Sequence, residues 1–438
     1  MRSLVRATAA ATACLVSTVA CSGGSPAPNP ATTIKIGVDL PLTGPEGQAA
    51  VPTLDGVLFY VHRHPRLDGF TVVVAARDDA AGGAPSPGRG VENVRALAAD
   101  SHVLAIVGPF DSSVARLEIP VANQAGLAMI SPTGGNRCLT KEPFLPAGLN
   151  PARTPVSCAA AGLPPPAALR PAGSNNYFRL STTDDLQGPA AADFGYGILH
   201  LLRVAVISDH EAYGQALAAS FTARFNRLGG SVVSHIDVDT SANVDLTVFM
   251  RKAKADGAQG IYFGGSAANK GCLLRAQMAT VFGAGAAAPL LGGDGIAEDP
   301  ACIRDAGTNA TGIYATVPAA DADHVDSALP VIAAFKAAYR KPADYGAYTI
   351  AAYDAAGVLY DAMDRAIKSN AGKLPARDQV ITDLAGTTAF QGATGKFGFD
   401  AAGDTTLRVV SVFEPAGSDP AQPWTWTHTI DYSAALPY

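Results

Sequence analysis

The chain has 438 residues, 48% of them hydrophobic and 16% charged, with a formal net charge of -6. That length is too great for one small core and natural for two domains. The composition excludes a disordered chain, and an acidic balance with no long basic run argues against a nucleic-acid partner.

In chain order, the first segment reads "MRSLVRATAAATACLVSTVACSGGSPAPNP". Arg2 and Arg6 give a positive start. The apolar and small residues that follow are too few and too weakly hydrophobic to span a membrane. The segment ends in "TVAC" and a Ser/Gly/Pro/Asn tether. Residues 1–20 resemble a bacterial lipoprotein signal, cut before Cys21, whose thiol and new amino terminus would take up acyl chains. Thr18 stands where leucine is usual, and an ordinary secretory signal cut nearby is the alternative. Residues 21–32 would be a flexible tether. Each buried CH₂ contributes about 0.8 kcal/mol, so several acyl chains would hold the protein on a membrane.

From residue 33 the pattern alternates strand and helix. "TIKIGVDL", "FTVVVAARDD", "HVLAIVGPF" and "GLAMISP" read as strands, with helices over 91–100 and 113–125. Short apolar runs bounded by Gly and Pro, with helix-length spacers, point to buried parallel strands in βα units. Residues 137–176, rich in proline, read as a long surface excursion. The alternation resumes with "LRVAVISD", a helix over 212–228, "GSVVSHIDV", a helix over 244–256, "AQGIYFGG", a helix over 267–281, "PLLGG" and "GIYATV". Two βα series predict an α/β protein of two domains. Helices follow over 325–340 and 348–368, the second with Ala352, Ala355, Leu359, Met363 and Ile367 near one face. Near the end, "KFGFD", a turn at Gly403-Asp404 and "LRVVSVF" read as a hairpin, and "WTWTHTIDY" as an edge strand.

An exported chain matures in an oxidising compartment. Cys14 would leave with the signal and Cys21 would carry lipid. Cys138, Cys158, Cys272 and Cys302 remain, and four cysteines allow three pairings. The favoured ones are Cys138–Cys158, closing the Pro/Ala-rich loop, and Cys272–Cys302. A zinc site is disfavoured because the spacings contain no CxxC.

The fragments "IKIGVDLPLTGP", "VLAIVGPFDSS", "IPVANQAGLAMISPTGGN", "YFRLSTTDDLQG", "VAVISDHEAYGQALAASF" and "LLGGDGI" come in that order. Together they resemble the extracytoplasmic solute-binding proteins of ABC transporters for branched-chain amino acids, the Leu/Ile/Val-binding type. The resemblance runs from about Ile34 to Val412. It implies a type I periplasmic binding protein: an α/β fold of two Rossmann-like lobes with parallel sheets, joined by three hinge crossovers. Lobe 1 would be 33–182 plus 317–385, and lobe 2 would be 183–316 plus 386–438. The implied partners are an amino-acid-like ligand and the permease and ATPase subunits of a transporter. The protein is expected to be a monomer with no cofactor and no metal.

Ligands of open α/β sheets sit outside the carboxyl ends of the strands. Ser112 and Ser113 stand where "VLAIVGPFDSS" turns from strand to helix, an end suited to a carboxylate. By the resemblance, Ser112 grips the ligand carboxylate, with Thr133 and the backbone of Gly135 completing the cradle. Gly135 stands where the family commonly has threonine. Tyr213 resembles the family's tyrosine that closes over the ligand, an aromatic of large contact area and few rotatable bonds. Asp294, in "GGDG" where the family commonly has "GPEG", would bind the ligand's α-ammonium. Phe263 and Ser266 would line the same wall.

Enzyme signatures are missing. "GGSAANKG" breaks the GxSxG pattern at Ala268, "GATGKFG" lacks phosphate-loop spacing, and His210-Glu211 is not part of an HExxH. His62 and His64 precede a proline in a polar segment and are expected to be solvent-exposed. Other readings of the same fold are a receptor for an amide, a urea or an aromatic acid, and a ligand-sensing lipoprotein not coupled to transport.

Overall fold

A computed structural model describes residues 32–149, 154–239, 244–266, 270–284, 287–297, 299–420 and 424–438. The signal segment and the tether up to residue 31, including Cys21, lie outside the described residues. The first sheet contains β1 (Thr33–Leu40), β2 (Arg66–Leu67), β3 (Phe70–Asp78), β6 (Val103–Val107), β7 (Ala128–Ser131) and β8 (Tyr177–Arg179); β4 (Ala80–Ala81) and β5 (Ala84–Pro85) form a small separate hairpin. Its order is β2-β3-β1-β6-β7-β8, parallel apart from β2. Both faces are covered, which is why β6 and β7 are buried at every position and show no alternation.

Helices α2 (Pro87–Ala98) and α3 (Ser112–Gln124) cover one face, where Val94, Leu97, Ala115 and Ile119 pack on Ile106 and Met129. The start of α2 follows from its sequence. The Ser86 side chain accepts the Arg89 amide, Pro87 takes the first turn, and Gly90, Asn93, Val94 and Leu97 recur on one buried face. Helix α1 (Gly47–Arg63) covers the other face beside two later helices.

The second sheet has the order β10-β9-β11-β12-β13-β16-β17. Its strands are β9 (Arg203–Ser208), β10 (Ser231–Asp237), β11 (Gly260–Gly264), β12 (Leu290–Gly292), β13 (Ile313–Val317), β16 (Val409–Pro415) and β17 (Trp424–Asp431). The first five are parallel, and β16 and β17 add antiparallel. Helices α4 (Asp184–Asp193), α5 (Ala212–Arg227), α6 (Thr247–Ala255), α7 (Leu273–Phe282) and α8 (Pro300–Ala306) flank it. Thus "WTWTHTIDY" is the expected edge strand. The helix predicted over 267–281 is described as α7, which begins just after Cys272.

The chain then returns to the first lobe with α9 (Leu329–Ala338), α10 (Thr349–Ser369) and α11 (Arg377–Ala385). Ala352, Ala355, Leu359, Met363 and Ile367 are all buried with Val57 and Val61 of α1. Burying each large aliphatic side chain contributes roughly 1.5–3 kcal/mol. The two helices meet closely at Gly56, where a Cβ would lie 2.0 Å from the Thr349 carbonyl oxygen.

Two expectations at the carboxyl end need correction. "KFGFD" and "LRVVSVF" are not paired as a hairpin. β15 (Gly395–Phe397) pairs with β14 (Phe390–Gly392), whereas β16 pairs with β13 and β17. Lobe 2 also does not resume at 386. Phe397 and Phe399 are buried in the core of the first lobe, and Asp354 of α10 accepts the Ala393 and Thr394 amides. The chain re-enters the second sheet only at Val409. The three crossings lie side by side, since the Thr182 amide donates to the Pro318 carbonyl and the Thr182 hydroxyl to the Val409 carbonyl.

The segment 137–176 is less superficial than its prolines imply. Leu145 and Leu149 are buried against Ala219 and Ala223 of α5, so the segment reaches from the first lobe onto the second. Cys138 is bonded to Cys158 and Cys272 to Cys302, with Cα–Cα separations of 5.8 and 5.0 Å. These are the pairings favoured from the sequence.

Candidate functional site: a cleft between the two sheets

Asp294 lies just beyond the carboxyl end of β12. Its Oδ1 accepts the Tyr213 hydroxyl at 2.6 Å and the Gln187 amide at 2.9 Å, and its Oδ2 accepts the Tyr348 hydroxyl at 3.0 Å. Tyr213 comes from the first turn of α5 and Gln187 from α4, both in the second lobe. Tyr348 precedes α10 of the first lobe, so the carboxylate is held from both sides of the cleft. The glycines around it are required by this crowding. A Cβ at Gly293 would stand 2.7 Å from the Tyr213 hydroxyl oxygen, and one at Gly295 would stand 3.1 Å from the Cα of Ser266. The Gly295 amide also donates to the Tyr213 hydroxyl at 3.0 Å.

Charge in this half of the cleft is one-sided. Burial, then the charge of Asp294, raises the Tyr213 hydroxyl well above its usual range, so it stays a donor. Burial, again followed by Asp294, pushes Asp184 up to about 8. Among the described residues no lysine or arginine forms an ion pair with Asp294. A carboxylate surrounded by neutral donors, beside an acid that burial and the carboxylate's own charge keep protonated, is arranged to receive a cationic group.

The facing half is built at the ends of β6 and β7. Ser112 opens α3, and its hydroxyl oxygen accepts the Asn136 amide at 3.2 Å. The Thr133 hydroxyl donates to the Phe110 carbonyl at 2.6 Å. Phe110 in turn meets Tyr348 edge-on, with ring centroids 5.7 Å apart. The Ser131 hydroxyl fixes the turn by accepting the Gly134 amide and donating to the Pro109 carbonyl. Asp111, at the N-cap of α3, makes no side-chain cap bond. Burial first, then the charge of Glu46, raises Asp111 well above the usual carboxylate range, which favours its neutral form beside the helix start. A helix N-terminus with a neutral neighbour suits a bound carboxylate.

Gly135 now has a local reason. Its carbonyl accepts the Asp184 amide at 2.9 Å, and a Cβ there would lie 2.2 Å from Asp184 Oδ1. A threonine at this position would collide with Asp184. The glycine belongs with that acid, at the point where the first crossing enters the second lobe.

The structure thus brings Ser112, Thr133 and Gly135 to one wall and Tyr213, Ser266 and Asp294 to the other. Ser113, one residue into α3, is exposed. Ser266 is tied by its amide to Asp209 Oδ2 at 3.2 Å. Phe263 is not on the wall. Its side chain is fully buried in the core of the second lobe, with its ring beneath Gly265 and Gly271. Sequence reasoning missed Tyr348, Gln187 and Asp184. Asp184 and Gln187 lie in the fragment "YFRLSTTDDLQG" quoted for the family resemblance, and the signal for Tyr348 was "DYGAYT", with tyrosines just ahead of a helix.

The sequence pattern of the periplasmic binding protein family matches residues 33–418. The chain belongs to that family. Leu/Ile/Val-binding protein homolog 3 of Brucella melitensis is 30% identical over 76% of this chain and 79% of its own length. The leucine-, isoleucine-, valine-, threonine-, and alanine-binding protein of Pseudomonas aeruginosa is 25% identical over 88% of this chain and 90% of its own. Among solved structures, a leucine-binding protein, LivK, from Thermotoga maritima superposes with a TM-score of 0.70 at 22% identity, covering 91% of this chain and 99% of that one. This periplasmic binding protein therefore has the type I fold, two α/β lobes with parallel sheets. Its family and relatives are extracytoplasmic solute-binding proteins rather than enzymes. No helix among the described residues is long and apolar enough to cross a membrane.

Proposed function

We propose that this protein binds a branched-chain amino acid, or a close analogue, between its two lobes and delivers it to the permease and ATPase of an ABC transporter. The observation that carries this reading is Asp294, an acid at the cleft held by three neutral donors and facing the N-terminus of α3. Ser112 and Thr133, with the backbone of Gly135 and the first turn of α3 around Ser113, take the ligand carboxylate. Asp294 takes the α-ammonium, Tyr213 closes over the ligand, and Ser266 flanks it. The lobes hinge at the three crossings, and ligand favours the closed state by its greater affinity for that state. Two matched charged ends and one buried aliphatic side chain are consistent with a dissociation constant near micromolar, about -8 kcal/mol.

Thermal shift against amino acids, amides, ureas and aromatic acids tests the ligand class. Leucine, isoleucine or valine at 100 times Kd should stabilise the protein by about 2.7 kcal/mol, with no response to benzoate or to simple amides. A response confined to molecules without an ammonium group would refute the reading. We further propose that the chain acts as a monomer tethered by lipid on Cys21. Expressed at full length in a bacterial host, it should partition with membranes and carry the mass of acyl chains, and Cys21→Ser should release it. A wild-type chain found soluble and unacylated would exclude the anchor.

A further inference from the structure

Below the carboxylate cradle, three acids from distant parts of the chain converge in the first lobe. Asp39 lies one residue before the end of β1, Asp79 follows β3, and Glu118 lies in α3; each is 0% exposed. One carboxylate oxygen from each lies within 4.8 Å of the others. Asp39 Oδ1 accepts the Asn93 amide at 2.8 Å. Its Oδ2, both oxygens of Asp79 and both oxygens of Glu118 are buried without a hydrogen-bond partner. Among the described residues no lysine, arginine or histidine forms an ion pair with any of the three.

This arrangement is expensive unless something positive sits in it. Buried carboxylates are tolerated when paired, hydrogen-bonded or bound to a metal. Burial pushes Asp39 up to about 6 and Asp79 up to about 8, the latter aided by the charge of Asp39, and Glu118 is raised well above its usual range by burial and then Asp39. A proton shared between Asp39 and Glu118 would satisfy that pair but leave both oxygens of Asp79 unmet. A cation meets all three acids at once. The donors are hard oxygens with no histidine or cysteine, which selects calcium-like ions over zinc. Calcium–oxygen bonds of 2.3–2.6 Å set ligand oxygens at most roughly 4.6–5.2 Å apart, and the observed spread fits within that span. Space is also kept for the Glu118 carboxylate, because a Cβ at Gly90 of α2 would lie 2.1 Å from its Oε1.

We propose that Asp39, Asp79 and Glu118 hold a calcium-sized divalent cation, each through one carboxylate oxygen. It would pin α3, which carries Ser112, to the ends of β1 and β3.

The test uses the full chain. Wild-type protein is stripped with a chelator, dialysed against calcium, and assayed for metal by elemental analysis and for melting temperature. The expected result is about one calcium per chain and a rise in melting temperature on the order of 5 °C at saturating calcium. Glu118→Gln and Asp79→Asn should each abolish the calcium-dependent rise. Wild-type protein that takes up no calcium and melts at the same temperature with and without it would overturn the proposal. A full calcium response retained in both variants would do the same.

Discussion

Replacing Asp294 by alanine should weaken the binding of an amino-acid ligand by roughly 10- to 150-fold, read by calorimetric titration. This is the loss of one charge-assisted hydrogen bond, about 1.5–3 kcal/mol, at 1.4 kcal/mol per tenfold. The empty protein should melt almost where the wild type does, for two opposing reasons. The substitution strips Tyr213, Tyr348 and Gln187 of their common acceptor, which costs stability. It also removes a negative charge that bears on Asp184 and Asp111, which returns some. Asp294→Asn removes the charge but keeps one acceptor oxygen, which can serve Tyr213 and Gln187, while its Nδ2 would donate to the Tyr348 hydroxyl oxygen in place of the bond Tyr348 now gives. Its affinity should fall nearly as far, with a still smaller change in melting. Unchanged affinity in both variants would remove the ammonium role. An equal drop in affinity and in empty-protein stability would mean that Asp294 serves the cleft's architecture.

The position of that acid was legible because it is local: an apolar run ends, two glycines follow, and a charge appears. The strands and most helices were legible for the same reason, through their short apolar runs and helical spacing. What was lost depends on contacts that no local pattern encodes. Tyr348 and Gln187 stand 54 and 107 residues from Asp294 along the chain and meet it only through the fold. Phe263 was misread because β11 is buried at every position, so the pattern does not say which side chains face the cleft. The "KFGFD" hairpin failed because the true partner of Gly395–Phe397 lies upstream, at Phe390–Gly392, and the turn at Gly403 closes only one antiparallel bridge, Phe399 with Thr405, before the chain re-enters the second sheet. Prolines made 137–176 look superficial, yet Leu145 and Leu149 cover α5, and Leu139 and Leu169 are buried in the first lobe. Gly135 looked like a lost hydroxyl until Asp184 was placed beside it.

The turn at Gly403 leads to the second large effect, a loss of about 3–5 kcal/mol on Asp404→Asn, the cost typical of breaking one partner of a buried ion pair. Arg179, at the end of β8, is fully buried, and its Nε donates to Asp404 Oδ1 at 2.7 Å. The same guanidinium donates to the carbonyls of Gly134 and Asn136 at 2.8 Å each, and Asn136 is the residue whose amide meets Ser112. Lys141 Nζ adds an ion pair 2.7 Å from Asp404 Oδ2. One carboxylate therefore joins the turn ahead of the third crossing to the cradle loop and to the start of the 137–176 segment. Burial works to raise Asp404, but the charges of Arg179 and Lys141 outweigh it and hold the group below the usual carboxylate range. A lowered folded value means stability that is fully present above the unfolded value, about 4, and is lost as pH falls toward the folded one. The gap in stability between wild type and Asp404→Asn, measured by urea unfolding, should be widest near pH 7. It should narrow only below about pH 4, as the wild-type carboxyl gains the proton that asparagine mimics. A gap that stays constant from pH 7 to pH 2 would show that the variant suffers from misplaced side chains, and that the buried charge pair contributes nothing of its own.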